Sequence, residues 1–420
     1  MADVQPLRTL RYEPSAVGSL EDVIAPPYDV IDAAERAQLL ERSPFNVVEI
    51  DLPQAANGGD PYEHARDTLD EWRRDGVVVT EPEPAMWALE QSYTAPDGGE
   101  RTRRGFFARV RVEDYGPGRI RPHERTHPGP KEDRLRLTRA TRANLSPIFS
   151  LFPDPDNAAV DALAKATAGD PFGTASDSDG TRNSLWRIGE PELIAELQGA
   201  VADAELLIAD GHHRYETARI YADEIGGEGE HRYVLMFLCS LSDPGLTVFP
   251  THRLLSNLKE SEVQEKLGAA LKRDFEVERI EAEELEPPAS ETVQFGYMDS
   301  HFKQPFRLTL KDQSIADEAL PGMPEPYRKL DTAVLEALVL RGALAMSEDD
   351  ISHLNGLGYS KSLEEARAGV ESGDWDAGFF MRATPVEQVR EVAEAGESMP
   401  PKSTYFYPKV PTGLVFNSLA

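Results

Sequence analysis

A chain of 420 residues with 40% hydrophobic side chains can bury more than one core, and at about 150 residues per domain it divides into two or three lobes. Its net charge of -30 works against non-specific attachment to nucleic acid or anionic lipid, and its one cysteine, Cys239, excludes an intrachain disulfide and a cysteine-based zinc site. No apolar run approaches the ~20 residues of a membrane helix, and the opening MADVQPLRTLRYEPS lacks the basic and apolar regions of a signal peptide, so a cytoplasmic, non-membrane protein is expected.

Near the start, VIAPPYDVI (residues 23–31) stiffens at Pro26-Pro27 and presents Tyr28 and Asp29, either to a pocket or as a plain turn. Residues 61–75 carry helical spacing up to Gly76, and Val77-Val78-Val79 opens a strand. Met86–Ala95 and Gly105–Glu113 read as strands joined by the turn Pro96-Asp97-Gly98-Gly99. Residues 170–184 read as a polar loop and Glu190–Ala202 as a helix. Leu206–Ala209 reads as a short buried strand, and Arg214–Ile225 as a helix stopped by Gly226-Gly227. Tyr233–Cys239 is one buried strand, with Cys239 as a packed core residue. Residues 281–291, four glutamates running into Pro287-Pro288, read as a solvated connector. Strands follow at 292–298, 306–310 and 377–383, with helices at 331–345, 363–369 and 386–395. This loose alternation predicts a mixed α/β (α+β) fold, divided near 1–115, 116–280 and 281–420.

The sharpest local signal is LLIADGHHRYETA, residues 206–218. An apolar strand runs into Asp210-Gly211 and then directly into a helix. Gly211 lets the backbone turn sharply and approach a ligand. The helix start offers unpaired N–H groups and a partial positive charge, which suit a phosphate. His212, His213 and Arg214 add donors at the same point, and Arg214 can grip phosphate through two bonds. Asp210 is a candidate helix cap, Mg²⁺ ligand or base. The bland alternative is an N-cap beside surface histidines. Against it, three cationic or titratable side chains at one helix start would repel one another without an anion to answer them.

The second signal is residues 119–142, with eight Lys/Arg against three acids, a net +5 within an acidic chain. Such an inversion points to an anion-binding surface. Arg125, Lys131 and Arg134 become phosphate candidates, Glu124 an acid/base candidate, and His123 and Asp133 pocket candidates. The alternative is a solvated helix with Glu–Arg pairs along 131–142. His123-Glu124-Arg125-Thr126-His127 spells H-E-x-x-H, which holds zinc only on a helix. Pro128 pushes His127 out of the α region, and Gly129-Pro130 is expected to end any helix there, so no zinc is expected. The patch is short and lacks interleaved aromatics, which disfavours nucleic acid as partner. P-loop, dinucleotide and G-x-S-x-G patterns are absent from the sequence.

Four segments in order, VIAPPYDVI, HERTHPGPKEDRLRLTRATRANLSPIFSLF, IADGHHRYETA and MPPKSTYFYPKVPTGLVF, resemble the domain of unknown function 1015 family over nearly the whole chain. That resemblance implies no assigned activity. DGHHRYETA is also similar to the phosphate-binding helix start of the ParB/sulfiredoxin superfamily, a group that includes an ADP-dependent free serine kinase. The similarity implies that Gly211, His212, His213 and Arg214 cradle nucleotide phosphates. The tetrad holds no cysteine, so sulfiredoxin chemistry is excluded.

Together these residues predict a phosphotransferase or phosphate-ester hydrolase that uses ATP or ADP with Mg²⁺ on a small polar metabolite. Asp210 or Glu124 would be the base or metal ligand, and His212 or His213 alternative acid/base groups. A nucleotide- or metabolite-binding regulatory protein without turnover is the alternative.

Overall fold

The computed structural model describes residues 2–55, 58–95, 98–117, 119–122 and 128–420, and only the backbone of 128–130. The fold is mixed α/β, as the sequence predicts. The chain forms two compact units: the first runs through Pro122, continues to Thr247 and ends with Pro408–Ala420, and the second spans Val248–Tyr407.

The first unit is built on a nine-stranded sheet. Its strands are β1 (Val4–Gln5), β2 (Met86–Thr94), β3 (Glu100–Arg111), β4 (Ile120–Pro122), β5 (Ile148–Phe152), β6 (Gly173–Ser176), β7 (Arg182–Ile188), β8 (Leu206–Asp210) and β9 (Tyr233–Ser240). They lie in the order β4-β8-β5-β9-β3-β2-β7-β6, with β1 against β3. Pairing is antiparallel except for β8 with β4 and β9 with β5. The two central strands, IFSLF and YVLMFLCS, are buried almost throughout, which is why they read as continuous apolar runs and not as alternation. Cys239 is fully buried in β9, and that burial pushes its thiol well above the usual range.

A second, four-stranded sheet orders Val78–Thr80, Thr9–Tyr12, Phe416–Ser418 and Ala143–Asn144. Thr9 lies opposite Asn417, so the last residues of the chain return to the first unit. Three helices concern the site: α1 (Pro61–Arg74), α2 (Pro128–Thr141) and α3 (His212–Ile225). Asp60 caps α1 through the Tyr62 and Glu63 N–H groups, and α1 buries Ala65, Leu69 and Trp72. Helix α2 packs between α1 and α3.

Several expectations are corrected here. Pro128-Gly129-Pro130 opens α2 and does not end a helix. In a first turn the missing proline N–H has no partner to lose. The polar stretch 170–184 is not all loop: β6 and the start of β7 form a hairpin there, with the Asp177 carboxylate accepting from the Asp179 and Thr181 N–H groups at the turn. Helix α3 also begins two residues earlier than its apolar spacing suggests.

The second unit holds a six-stranded, wholly antiparallel sheet. Its order is Phe275–Arg279, Phe306–Leu310, Gln294–Asp299, Ala377–Phe380, His252–Leu255 and Leu357–Ser360. Helix Ser261–Asp274 and the π-helical segment Glu336–Ala343 pack with Phe295, Leu308 and Phe379 in its larger core. The helix expected over 331–345 is therefore α-helical at Asp331–Leu335 and π-helical beyond.

Gly105 sits where β3 crosses Phe237 of β9, and a Cβ there would lie 2.6 Å from the Leu238 carbonyl oxygen and inside the Phe237 ring. Gly105→Ala should therefore cost about 1–3 kcal/mol through overpacking, read as a lowered urea midpoint for the first unit. An unchanged midpoint would mean that the central sheet can spread there.

Candidate functional site

The site grows from the end of β8. The pairing of β8 with β5 slips between Ile208 and Asp210, so Ala209 is an extra residue. Such a bulge re-aims the next side chain. Gly211 follows at φ +94° and opens α3 with no side-chain cap; the first helical bond runs from the Tyr215 N–H to the Gly211 carbonyl. Asp210 is thus not the helix cap. The left-handed turn suits glycine, and a Cβ at 211 would also lie 3.0 Å from Arg214 Nε.

Arg214, in the first turn of α3, folds back over Gly211. Its Nη2 donates to Asp210 Oδ2 at 2.5 Å and its Nη1 donates to the Pro147 carbonyl. Lys409 Nζ donates to the other oxygen, Asp210 Oδ1, at 2.9 Å. Asp210 is therefore gripped by two cations, one 4 residues and the other 199 residues away in the chain. Burial alone would raise its pKa, but Lys409 and Arg214 outweigh it and hold the carboxyl well below the usual range.

The segment carrying Lys409 is held by a buried pair on the central sheet. Arg103 is fully buried, with its guanidinium 4.5 Å from the centroid of the Phe149 ring. Its Nη2 donates to the Pro408 carbonyl at 2.6 Å and to Gln91 Oε1, while Gln91 Nε2 donates to the Lys409 carbonyl at 3.0 Å.

The basic stretch meets this point from the other side. β4 pairs parallel with β8, and the Thr217 hydroxyl of α3 faces the Lys131 carbonyl of α2 at 3.5 Å. Arg134 and Arg214 line one small cavity of about 40 Å³, together with Asp51, Ser146 and Thr217. Arg134 is buried. It donates to the Asp51 carbonyl at 2.7 Å, and its Nε and Nη2 grip Asp133 Oδ2 at 2.8 and 2.6 Å. Its guanidinium lies 4.1 Å from the Tyr28 ring centroid. Ser146 donates to Asp51 at 2.7 Å, and Tyr62 donates to Asp133 at 2.8 Å. Burial pushes the Tyr28 phenol up to about 12, against the pull of Arg214 and Arg134. Asp29 is exposed, and its charge acts on Arg214.

The structure thus brings together Tyr28, Asp29, Lys131, Asp133, Arg134, Asp210, Gly211 and Arg214, with His212 and His213 in the first turn of α3. His123, Glu124, Arg125 and His127 lie outside the described residues. The cations also find answering groups within the protein: Asp210 for Arg214, and Asp51 and Asp133 for Arg134. Sequence reasoning missed Lys409 and Asp51. Lys409 carried a signal, since it stands in the proline-flanked run YPKVP. Asp51 carried none.

The family described as protein of unknown function (DUF1015) matches residues 4–333, and the chain belongs to that family. No curated protein matches it. Among solved structures it is similar to a free serine kinase in complex with AMP, at 17% identity, covering 70% of this chain and 88% of that one, TM-score 0.35. It is also similar to a conserved hypothetical protein from Pyrococcus furiosus, at 17% identity, 70% and 92% coverage, TM-score 0.35. A third is SbnI with a C-terminal truncation from Staphylococcus aureus, at 10% identity, 73% and 85% coverage, TM-score 0.37.

Asp210→Asn would leave Arg214 and Lys409 without their shared counter-charge. A loss of roughly 3–5 kcal/mol is expected at neutral pH, as when one partner of a buried pair is removed. Because the folded pKa of Asp210 is depressed, its contribution is full above the unfolded value near ~3.9 and fades as pH falls through the folded one. The gap between wild type and variant in urea denaturation should therefore be widest at pH 7 and narrow below pH ~4. Equal midpoints at pH 7 would show that the carboxylate is not the clasp.

Proposed function

We propose that this DUF1015 member binds a nucleotide, ATP or ADP, at the start of α3 and uses it as a phosphotransferase or phosphate-ester hydrolase on a small polar metabolite. The observation that carries the reading is the meeting of Arg214 and Lys409 beside a helix start that opens at the left-handed Gly211. Helix N–H groups and two cations converging on one point suit a phosphate. In this reading the segment works as the phosphate cradle of the ParB/sulfiredoxin group, with Lys409 added to it. Arg134 and Lys131, on the neighbouring helix, extend the positive field.

The role of Asp210 changes with its geometry. An effective general base has a pKa near the working pH, and a carboxyl held so far down is a poor proton acceptor. Asp210 is a positioning residue that aims Arg214 and Lys409. The proton acceptor is then His212, His213 or Asp29. Mg²⁺, where it accompanies nucleotide phosphates, supplies charge neutralisation. Asp210 does not fit as its ligand, because both oxygens already face cations.

That same commitment of Asp210 favours a second reading, a regulatory protein that binds nucleotide or metabolite without turnover. Binding and turnover separate the two. Isothermal titration with ADP and ATP should show Lys409→Ala and Arg214→Ala each weakening binding about ten- to a hundred-fold, the worth of one charge-assisted hydrogen bond. No binding of either nucleotide by the wild type, or equal affinity in all three proteins, would end the cradle reading. Phosphate release or transfer absent across a panel of polar metabolites, with binding intact, would select the regulatory reading.

A further inference from the structure

The second unit carries a pocket of its own, far from the nucleotide reading in chemistry and independent of it. It lies between helix Ser261–Asp274 and one face of the antiparallel sheet, with a volume of about 580 Å³. That is within the ~300–1,000 Å³ of small-molecule sites. Its walls are apolar: Leu267 and Leu271 from the helix, Tyr297 and Leu308 from the sheet. Val277 and Phe302 stand at its lip, 43% and 75% exposed, and so leave large apolar surfaces in water. The Phe302 turn is not loose. Asp299 Oδ1 accepts from the His301 and Phe302 N–H groups at 3.0 and 2.7 Å.

Two carboxylates and two lysines stand at the mouth, and they differ in what they already hold. Both carboxylates there are turned onto backbone donors: Asp299 onto its turn, and Asp376 Oδ2 onto the Leu258 N–H at 2.9 Å. On the helix, Lys266 pairs with Glu262 and Arg273 with Asp274, whereas among the described residues Lys259 and Lys272 meet no carboxylate. The lining is formally neutral, Lys259 and Lys272 against Asp299 and Asp376, in a chain of net charge -30, and its two ammonium groups are without an ion-pair partner among the described residues. An apolar hole with two uncommitted ammonium groups at its mouth suits a ligand of complementary make-up.

We propose that this pocket is a second ligand site, and that it takes a small apolar anion: an aromatic or hydrocarbon body with a single anionic head. The walls hold the body, and Lys259 and Lys272 attract the head.

Gly268 provides the test. It lines the pocket, and a Cβ there would meet nothing within 4 Å, so a larger side chain can enter the cavity without displacing the helix. The full chain is titrated with the fluorescent sulfonate 8-anilinonaphthalene-1-sulfonate, then challenged with octanoate, 1-octanol and octyltrimethylammonium. Saturable dye binding is expected, displaced by octanoate far better than by the alcohol or the cation. Gly268→Leu should abolish it while the melting temperature stays level or rises, since leucine is the better helix former. Lys259→Gln with Lys272→Gln, both on the surface, should weaken octanoate roughly fivefold or more and leave octanol unchanged. Dye binding equal in wild type and Gly268→Leu would place the dye elsewhere and overturn the proposal. So would displacement by octanol or the cation as strong as by octanoate. If Gly268→Leu melts early, the lysine pair decides: unchanged octanoate affinity there refutes the anion site.

Discussion

One carboxylate answers two cations that the chain delivers from distant places. Asp210 ends a buried strand, Arg214 stands one helical turn beyond it, and Lys409 arrives with the last segment of the chain. An unpaired charge at such a point would be expensive, so strand, helix start and returning segment are bound to one another by the need to neutralise. The Arg103–Gln91 pair serves the same end one layer below, fixing the Pro408 and Lys409 carbonyls and so the direction from which the ammonium comes. The loop Asp210-Gly211 is consequently the place where the central sheet, α3 and the segment carrying Lys409 meet.

The second half of the site repeats the device with different residues. Arg134 lies between Asp51 and Asp133, and its flat guanidinium covers the Tyr28 ring. Arginine suits this better than lysine, because its planar fork satisfies several acceptors and still presents a face to an aromatic. The carboxylates are themselves held by hydroxyls, Ser146 on Asp51 and Tyr62 on Asp133. A network satisfied at this many points is rigid, and rigidity is what a site for a charged ligand needs before the ligand arrives. The cost is that any phosphate must compete with the protein's own carboxylates for Arg214 and Lys409.

The two units use their sheets differently. In the first, the middle of the sheet is buried and the useful residues lie at strand ends. In the second, helix and antiparallel sheet do not close completely, and Leu271, Tyr297 and the exposed Phe302 line the gap. Burying Phe302 and Val277 would be favourable, which is what the proposed second site would do with the apolar body of its ligand.

Much of this was legible in the linear order of residues. Apolar runs located the central strands, and caps and glycines located most helices, because both signals are local and follow backbone periodicity. The Asp210-Gly211 junction was legible for the same reason: a strand, a left-handed glycine and a helix start are neighbours in sequence. The charge inversion at 119–142 singled out Arg134, but not what answers it. Its countercharges are Asp51 and Asp133, and a composition count cannot say which carboxylate meets which arginine. Pro128-Gly129-Pro130 misled because proline breaks a helix interior and opens a helix equally well, and the sequence does not say on which side of it the helix lies. The hairpin in 170–184 escaped because its strands carry small polar residues, and only β2 beside them makes that stretch a sheet edge. The proline-flanked run marked Lys409 as notable but could not say what it meets: its partner is 199 residues away, and only the pairing of the chain's two ends in one sheet brings it back. Sequence by itself determined the elements and the junction; tertiary structure decided the charges that meet there, because electrostatic neutralisation depends on distance in space and periodicity does not record it.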